Sequence, residues 1–309
     1  MKFYKRDIFS FFALDECVVC FIPDKDIEKL AENTEIISNF TNETFQKDRS
    51  KTERLLNTKQ GKIAETIFEE VIEIGNFTRN INDRLIYTTY DSFRIDNFEK
   101  HAPFDGLLYN KFNSEFENIK KLIINETMLP NYMGKISSTL LQKCKENKIY
   151  AVEIKSSQIP KKILSSCCNN SDFRKTKNQK KIIAELLKLD YIKYPYFDRT
   201  DGDTIQNFNF YIDFVKRLHP YILDEKQLIQ IEISNSSHIY TRIFVEKSAT
   251  TSFIAYIFGY VLADEFYKQP KLAPLFQAGK TEKAMYMLTQ ISKAKKIWSL
   301  FDDERLWKI

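Results

Sequence analysis

The chain has 309 residues, of which 43% are hydrophobic and 14% aromatic, and this composition excludes a disordered protein. The formal net charge of +5 is compatible with a polyanionic partner such as nucleic acid but does not require one. The longest apolar run, residues 253–263, is far shorter than the ~20 residues that cross a bilayer, and Asp15 and Glu16 interrupt the apolar start of the chain. We therefore expect a soluble, cytoplasmic protein without a membrane partner.

The first part of the chain, residues 1–58, is predicted to be a helical N-terminal region. Within it, Cys17 and Cys20 have the spacing of a zinc-ligand pair, but no second pair with similar spacing accompanies them. The total of five cysteines is odd, which favours reduced thiols over a disulfide framework. We predict buried thiols here, and a zinc or iron–sulfur site is the alternative.

A clearer helix follows over residues 61–75, because its apolar side chains recur with the 3.6-residue period of an amphipathic helix. Glu65 and Glu70 lie at the two borders of its apolar face. Lys62 falls on the opposite side, where the pattern predicts solvent.

Two strands come next, at residues 84–95 and 101–109, where β-branched, aromatic and other apolar types dominate. A longer excursion over residues 112–148 separates them from the third strand. This excursion is predicted to carry two helices, around residues 114–126 and 136–147.

The third strand, residues 150–157, is followed by an amphipathic helix over residues 171–189 and a short strand over residues 191–197. In the C-terminal region, residues 205–309, apolar and polar residues alternate in two segments that a short turn joins. The pattern predicts a β-hairpin, with strands at residues 228–234 and 239–245, and then helices at residues 250–267 and 278–299.

The third strand carries two charges inside an apolar segment. Glu153 and Lys155 are two positions apart, so on a strand they share one face, while Val152 and Ile154 point the other way. Charged groups in an apolar strand are costly unless something pairs with them. A divalent cation and a phosphodiester would provide that pairing.

The second strand also carries a carboxylate, since Asp105 follows Pro103 and Phe104 in a hydrophobic run. The order Pro-x-Asp and then Glu-x-Lys resembles the PD-(D/E)xK nuclease superfamily, which includes many restriction endonucleases. The family pattern has Pro and Asp adjacent, whereas Phe104 stands between them here. The resemblance covers roughly residues 60–200.

The predicted element order, a helix, three meandering strands, a helix and a further strand, is also the core order of that superfamily. The resemblance therefore implies an α/β fold with a mixed central β-sheet flanked by helices, extended by helical and β-hairpin additions. The implied organisation is an N-terminal region over residues 1–58 and a nuclease core over residues 59–309. That core contains the insertion over residues 112–148 and the C-terminal region over residues 205–309.

Hydrolysis of a phosphodiester requires an activated water, a neutralised phosphate and a stabilised leaving oxygen, and one or two Mg²⁺ ions can meet these needs. Asp105 and Glu153 are the candidate metal ligands, and Lys155 would stabilise negative charge or orient the water. The resemblance adds the backbone carbonyl of Ile154 and a glutamate on the preceding helix. Glu65 fits that glutamate best, and Glu70 is the alternative.

A positive stripe follows the motif in sequence and begins just after Pro160. Its residues are Lys161, Lys162, Arg174, Lys175, Lys177, Lys180 and Lys181. Contacts between such side chains and DNA phosphates would give salt-sensitive affinity that does not depend on sequence. A solvated helix face is the alternative interpretation.

The size of the chain and its additions outside the core resemble type II restriction endonucleases, which commonly act as homodimers on double-stranded DNA. We therefore predict a Mg²⁺-dependent, sequence-specific DNA endonuclease. A phage-defence, modification-dependent or repair nuclease is the first alternative. A non-catalytic nucleic-acid-binding protein is the second, because a fold does not fix a function.

Overall fold

The computed structural model describes the following residues of the chain: 3–6, 9–14, 17–23, 34–40, 50–77, 79–168, 176–197, 205–247, 252–276 and 283–307. These residues form a mixed sheet of eight strands and a smaller antiparallel sheet of three strands, with helices packed on both faces of the larger sheet. The predicted fold class, a mixed central sheet flanked by helices, is confirmed.

The strands are β1 (Phe3–Arg6), β2 (Phe9–Leu14), β3 (Cys17–Pro23), β4 (Leu85–Thr89), β5 (Gly106–Asn110), β6 (Ile149–Gln158), β7 (Asp190–Lys193), β8 (Ile239–Lys247), β9 (Ser252–Leu262), β10 (Lys271–Phe276) and β11 (Lys283–Gln290). The helices are α1 (Thr34–Phe40), α2 (Lys51–Phe77), α3 (Phe116–Thr127), α4 (Ser138–Glu146), α5 (Lys161–Cys168), α6 (Thr176–Leu186), α7 (Phe208–Leu218), α8 (Glu225–Ser234), α9 (Glu265–Lys268) and α10 (Glu304–Trp307). Across these described ranges, no helix combines the length and the apolar character needed to cross a bilayer.

The larger sheet has the order β1-β2-β3-β9-β8-β6-β5-β4. β4, β5 and β6 form an antiparallel meander, and β6 then pairs in parallel with β8. A parallel pair requires a long crossover. Here the crossover contains helices α5 to α8 and the strand β7, which lies in the smaller sheet.

The long helix α2 covers one face of the larger sheet. The apolar side chains of Ile63, Ile67, Phe68 and Val71 are at most 1% exposed and pack against the side chains of the sheet. Each such burial contributes ~1.5–3 kcal/mol relative to exposure, so this face anchors the helix. The predicted helix over residues 61–75 is confirmed, and it begins ten residues earlier than expected.

The opposite face of the sheet carries the remaining helices. α3 and α4, the two helices predicted for the insertion, pack there against β5 and β6. The other part of this face is covered by α6, α7 and α8 together with the smaller sheet. Glu153 and Lys155 lie between these two groups of helices.

The helix predicted over residues 250–267 is wrong, because Ser252–Leu262 is the strand β9. β9 lies between β3 and β8, and its side chains on both faces enter hydrophobic cores. A strand that is buried on both faces shows a continuous apolar run, which periodicity cannot distinguish from a buried helix. The helix predicted over residues 278–299 is also wrong, because Lys283–Gln290 is the strand β11.

The strand predicted over residues 228–234, the first of the C-terminal hairpin, is also a wrong prediction, because Glu225–Ser234 is the helix α8. Asp224 caps this helix by accepting a hydrogen bond from the backbone N–H of Gln227. Leu228 and Glu232 are four residues apart and fully buried on one helix face, and their burial overrides the alternating pattern. The hairpin exists one strand later, between β8 and β9.

The prediction of a helical N-terminal region over residues 1–58 is only partly correct, because three strands precede the first described helix. β1, β2 and β3 extend the edge of the larger sheet next to β9. Cys17 and Cys20 are buried in β3 and enter the cores on opposite faces of the sheet, so they cannot share one ion. The prediction of buried thiols is confirmed for this pair, and the boundaries of the domains stay a prediction.

Candidate functional site

Asp105 meets the strand β6 where its ladder with β5 ends. The last cross-strand pair is Gly106 with Val152, so Asp105 and Glu153 are the next residues beyond it. The carboxylate of Asp105 accepts a hydrogen bond from the backbone N–H of Ile154. Asp105 is thereby held beside the Glu-x-Lys segment, as its place on the neighbouring strand predicted.

Glu153 and Lys155 form an ion pair on one face of β6. Their side chains are 21% and 29% exposed, so water and a substrate can reach them. Val152 and Ile154 point to the other face and pack with the residues of α2. The pair therefore faces away from α2, and Asp105 lies one residue beyond the end of the β5–β6 ladder.

Glu65 lies on α2 and is buried, at 8% exposure. Lys62 binds both of its carboxylate oxygens, at 2.7 and 2.8 Å, and also forms an ion pair with Asp91. The prediction that Lys62 lies in solvent is wrong, because the chain brings Asp91 against Lys62 in the middle of α2. Asp91 in turn binds Arg94, which also holds Asp96.

The electrostatics of these groups reflect their burial. Burial raises the pKa of the Glu65 carboxyl to about 8, and the charge of Asp105 adds to the rise while Lys62 opposes it. Burial also raises the pKa of Asp105 to about 7, and the charge of Glu153 adds to it. Burial alone would lower the pKa of Lys155, but the charges of Glu153 and Asp105 hold it above its usual range. Burial is thus the main cause of both raised carboxyl pKa values.

In the described ranges, no three carboxylate, imidazole or thiol groups already converge as metal ligands. Each candidate carboxylate already has a protein partner. Glu153 accepts a hydrogen bond from Lys155, and Glu65 accepts one from Lys62. Asp105 accepts one from the backbone N–H of Ile154. The donor types still fit Mg²⁺, which takes one or two carboxylates together with water and phosphate oxygens. A cation shared by Asp105 and Glu153 would compete with Lys155 for the Glu153 carboxylate.

A cavity of about 200 Å³ opens beside the ion pair. Glu153 and Lys155 form part of its wall, and Lys193, Tyr194 and Tyr240 form another part. The Lys155 ammonium lies 5.9 Å from the centre of the Tyr194 ring. A phosphate or sugar that enters this cavity would therefore meet the ammonium and the aromatic side chains together.

The floor of the cavity is fixed by a buried polar network. Lys193 and Glu232, which are 2% and 0% exposed, form an ion pair at 3.4 Å. The hydroxyl of Tyr267 donates to Glu232 at 2.8 Å, the backbone N–H of Tyr196 donates at 2.7 Å, and the hydroxyl of Tyr211 donates as well. Burial lowers the pKa of Lys193, although the charge of Glu232 opposes this.

The predicted DNA-binding stripe falls on α5 and α6. Lys161 and Lys162 are exposed in the first turn of α5, and Lys177, Lys180 and Lys181 are exposed on α6. Arg174 and Lys175 lie outside the described residues. The stripe follows β6 directly, since α5 begins three residues after Gln158.

Several residues around the site were not found from the sequence. The contact between Asp91 and Lys62 depends on how the loop after β4 folds over α2. The pairing of Lys62 with Glu65, three residues apart, is a known pattern in helices. Lys193 and Tyr240 come from other elements and had no motif to mark them. Glu70, the alternative to Glu65, is also partly buried on α2.

Asp105, Glu153 and Lys155 thus come together where β5 and β6 separate, with Glu65 and Lys62 on the other side of Asp105. The chain matches no protein-family model, no curated protein and no solved structure. A proposal for the function therefore rests on the geometry and chemistry of these residues and on the resemblance found in the sequence.

Proposed function

We propose that this protein is a Mg²⁺-dependent endonuclease that hydrolyses DNA phosphodiester bonds. The observation that carries the proposal is the contact of Asp105 with the backbone N–H between Glu153 and Lys155. Two carboxylates and an ammonium, brought together by adjacent strands, are the groups that metal-assisted phosphodiester hydrolysis requires. The antiparallel meander β4–β5–β6 supports the resemblance to the PD-(D/E)xK superfamily. The further strand predicted over residues 191–197 is instead β7 of the smaller sheet, and β8 is the parallel neighbour of β6.

In this proposal Asp105 and Glu153 hold the cation, the backbone carbonyl of Ile154 adds an oxygen, and Glu65 completes the set. One or two Mg²⁺ ions would supply charge neutralisation at the phosphate and the leaving oxygen. When the cation displaces Lys155 from Glu153, the three donors of its ammonium can bind a phosphate oxygen. The exposure of this pair to the cavity supports such a contact.

The basic stripe on α5 and α6 supports a duplex substrate. Exposed lysines on consecutive helices next to β6 would contact the phosphates and position the backbone. By resemblance, the substrate is double-stranded DNA cut at a specific sequence by a homodimer, as in type II restriction. A phage-defence, modification-dependent or repair nuclease, and a non-catalytic nucleic-acid-binding protein, are the competing proposals.

The test is incubation of supercoiled plasmid with the parent protein in Mg²⁺ and in EDTA, beside Asp105→Ala and Lys155→Ala. We expect cleavage by the parent in Mg²⁺ only, and none by either variant. Glu146→Ala is the matched control, because Glu146 and Lys148 repeat the Glu-x-Lys spacing at the end of α4 with Glu146 exposed. This control should cleave like the parent.

The product pattern separates the alternatives. Discrete fragments from unmodified plasmid favour restriction, whereas cleavage limited to modified or branched DNA favours the first alternative. A parent protein that binds DNA but cleaves none of these substrates in Mg²⁺ or Mn²⁺ would contradict the nuclease proposal and favour the non-catalytic one.

A further inference from the structure

Tyr87, on β4, carries a hydroxyl that is buried without a partner. Its side chain is 4% exposed, and its ring packs edge-to-face on Phe68 with 4.9 Å between the ring centres. Among the described residues, no group forms a hydrogen bond with the hydroxyl. A buried hydroxyl without a partner loses the hydrogen bonds that it made to water, so such groups are rare and call for an explanation.

The hydroxyl lies at the candidate site because Gly106 allows it to. A Cβ atom on Gly106 would come within 2.6 Å of the Tyr87 oxygen and of the outer ring carbons. Any other residue at this position would therefore push the ring away. Gly106 directly follows Asp105, and Phe68 lies one helical turn after Glu65 on α2. The Tyr87 ring, which contacts both Gly106 and Phe68, therefore lies close in the fold to both candidate ligands.

The electrostatics of Tyr87 agree with this placement. Burial raises the pKa of its hydroxyl, and the charges of Glu65 and Asp105 add to the rise. The oxygens of a carboxylate accept hydrogen bonds, and the hydroxyl can donate one. A water molecule would complete such a set, since its two hydrogens suit the two carboxylates and its oxygen accepts from the phenol.

We propose, on the basis of the proposed nuclease function, that the Tyr87 hydroxyl positions a water molecule bound between the carboxylates of Glu65 and Asp105. Tyr87 is then a positioning residue, which acts through the two carboxylates and does not touch the phosphate. Gly106 provides the space for this contact. Groups that orient metal ligands in this way typically change metal affinity or activity 10- to 100-fold when they are mutated, roughly the effect expected here.

The test compares the parent with Tyr87→Phe and with the control Tyr109→Phe. The hydroxyl of Tyr109 is paired with Thr88 at 3.0 Å and belongs to the other face of the same hairpin. Four quantities are measured: the Tm without metal, the Mg²⁺ affinity by calorimetry, and kcat and KM for plasmid cleavage. A crystal structure of the parent shows directly whether a water lies at Tyr87.

For Tyr87→Phe we expect a Tm no lower than that of the parent, because no protein hydrogen bond is lost. Mg²⁺ affinity should fall about 10-fold and kcat should fall with KM unchanged. Tyr109→Phe should keep the Mg²⁺ affinity and kcat of the parent. Electron density for a water within hydrogen-bond distance of Tyr87 and either carboxylate would support the proposal.

Two results would overturn the role of Tyr87 while the nuclease function stands. One is a Tyr87→Phe protein whose Mg²⁺ affinity and kcat equal those of an active parent. The other is a direct bond from the Tyr87 hydroxyl to a protein group in the crystal structure, together with a clear loss of Tm in the variant. A parent that neither binds Mg²⁺ nor cleaves DNA overturns both the function and the role.

Discussion

The carboxylate of Asp105 accepts a hydrogen bond from the backbone N–H of Ile154, the residue between Glu153 and Lys155. One bond thus fixes the end of β5 against the segment of β6 that carries the charges. It also replaces a ladder bond at the point where the two strands separate. The position of Asp105 therefore depends on the fold of the hairpin and not on the presence of a cation.

Asp105→Asn separates the charge of this residue from its structural contact. The amide oxygen of asparagine can still accept from Ile154, so we expect the free energy of unfolding to change by less than about 1 kcal/mol. Cleavage in Mg²⁺ should fall by more than about 100-fold, because a ligand is worth at least as much as the groups that orient it. Denaturant unfolding and plasmid cleavage measure the two effects. A folded Asn variant with parental activity would contradict a ligand role for Asp105.

Gly106→Ala should destabilise the protein by about 1–3 kcal/mol, because the added methyl group overlaps the Tyr87 ring. Tyr87→Val removes the ring atoms that overlap, and it also lowers the stability of the protein by itself. In the double variant the overlap is gone, so its loss of stability should be smaller than the sum of the two single losses. Urea unfolding of the four proteins gives the coupling. Strict additivity would show that Gly106 and Tyr87 do not meet.

Glu232→Ala should destabilise the protein by about 3–5 kcal/mol, because it leaves the charge of Lys193 buried and unpaired. The matched control is Glu185→Ala, since the Glu185–Lys188 pair is 40% and 67% exposed. Exposed pairs are worth about 0–1 kcal/mol, so the control should unfold like the parent. Similar losses in both variants would mean that the network below the cavity does not support the fold.

The free energy of unfolding should depend on pH because of His238. Burial, with a smaller contribution from the charge of Lys145, lowers its pKa from 6.5 to about 4, and its Nδ1 atom accepts from the N–H of Ala151. The unfolded chain binds the proton first, so stability is complete above pH 6.5 and falls as the pH drops toward 4. The slope from this residue is at most about 1.4 kcal/mol per pH unit. Urea unfolding between these pH values measures the free energy of unfolding against pH. In His238→Asn the part of the slope that comes from this residue should be absent. A variant with the parental slope would contradict the role of His238.

The DNA interface should respond to salt. Replacing Lys161 and Lys162 with glutamine should reduce the slope of log K against log salt by about 2, or roughly 0.9 for each phosphate contact. Lys226→Gln is the control, because Lys226 is exposed on α8 outside the stripe. Fluorescence anisotropy on a labelled duplex at several salt concentrations gives the slopes. Equal slopes in all three proteins would show that the lysines of the stripe do not contact the DNA.

Local patterns were sufficient to predict the elements around the site. The helix α2, the two helices of the insertion and the neighbouring strands of Asp105 and Glu153 all follow from periodicity and residue type. These elements each have one buried face, so their sequence pattern reflects their environment directly. The strand that holds Glu153 is recognisable because its charges break an otherwise apolar run.

The rest depends on contacts that are distant in sequence. β9 was misread because burial on both faces removes the alternation of a strand, and α8 was misread because the burial of Glu232 overrides local preference. The positions of Lys62 and Tyr87 follow from how β4 and the loop after it pack on α2. No local pattern encodes these positions, since each depends on the register between strands and on the path of a loop.

The central claim is that Asp105 and Glu153 share one divalent cation, and anomalous diffraction from crystals soaked in Mn²⁺ tests it most directly. Mn²⁺ takes the same oxygen ligands as Mg²⁺ and can be located by its anomalous signal. We predict one peak at about 2.0–2.3 Å from an oxygen of each carboxylate, with Lys155 displaced from Glu153. Saturating Mn²⁺ with no peak at this position, and with Lys155 still bound to Glu153, would contradict it.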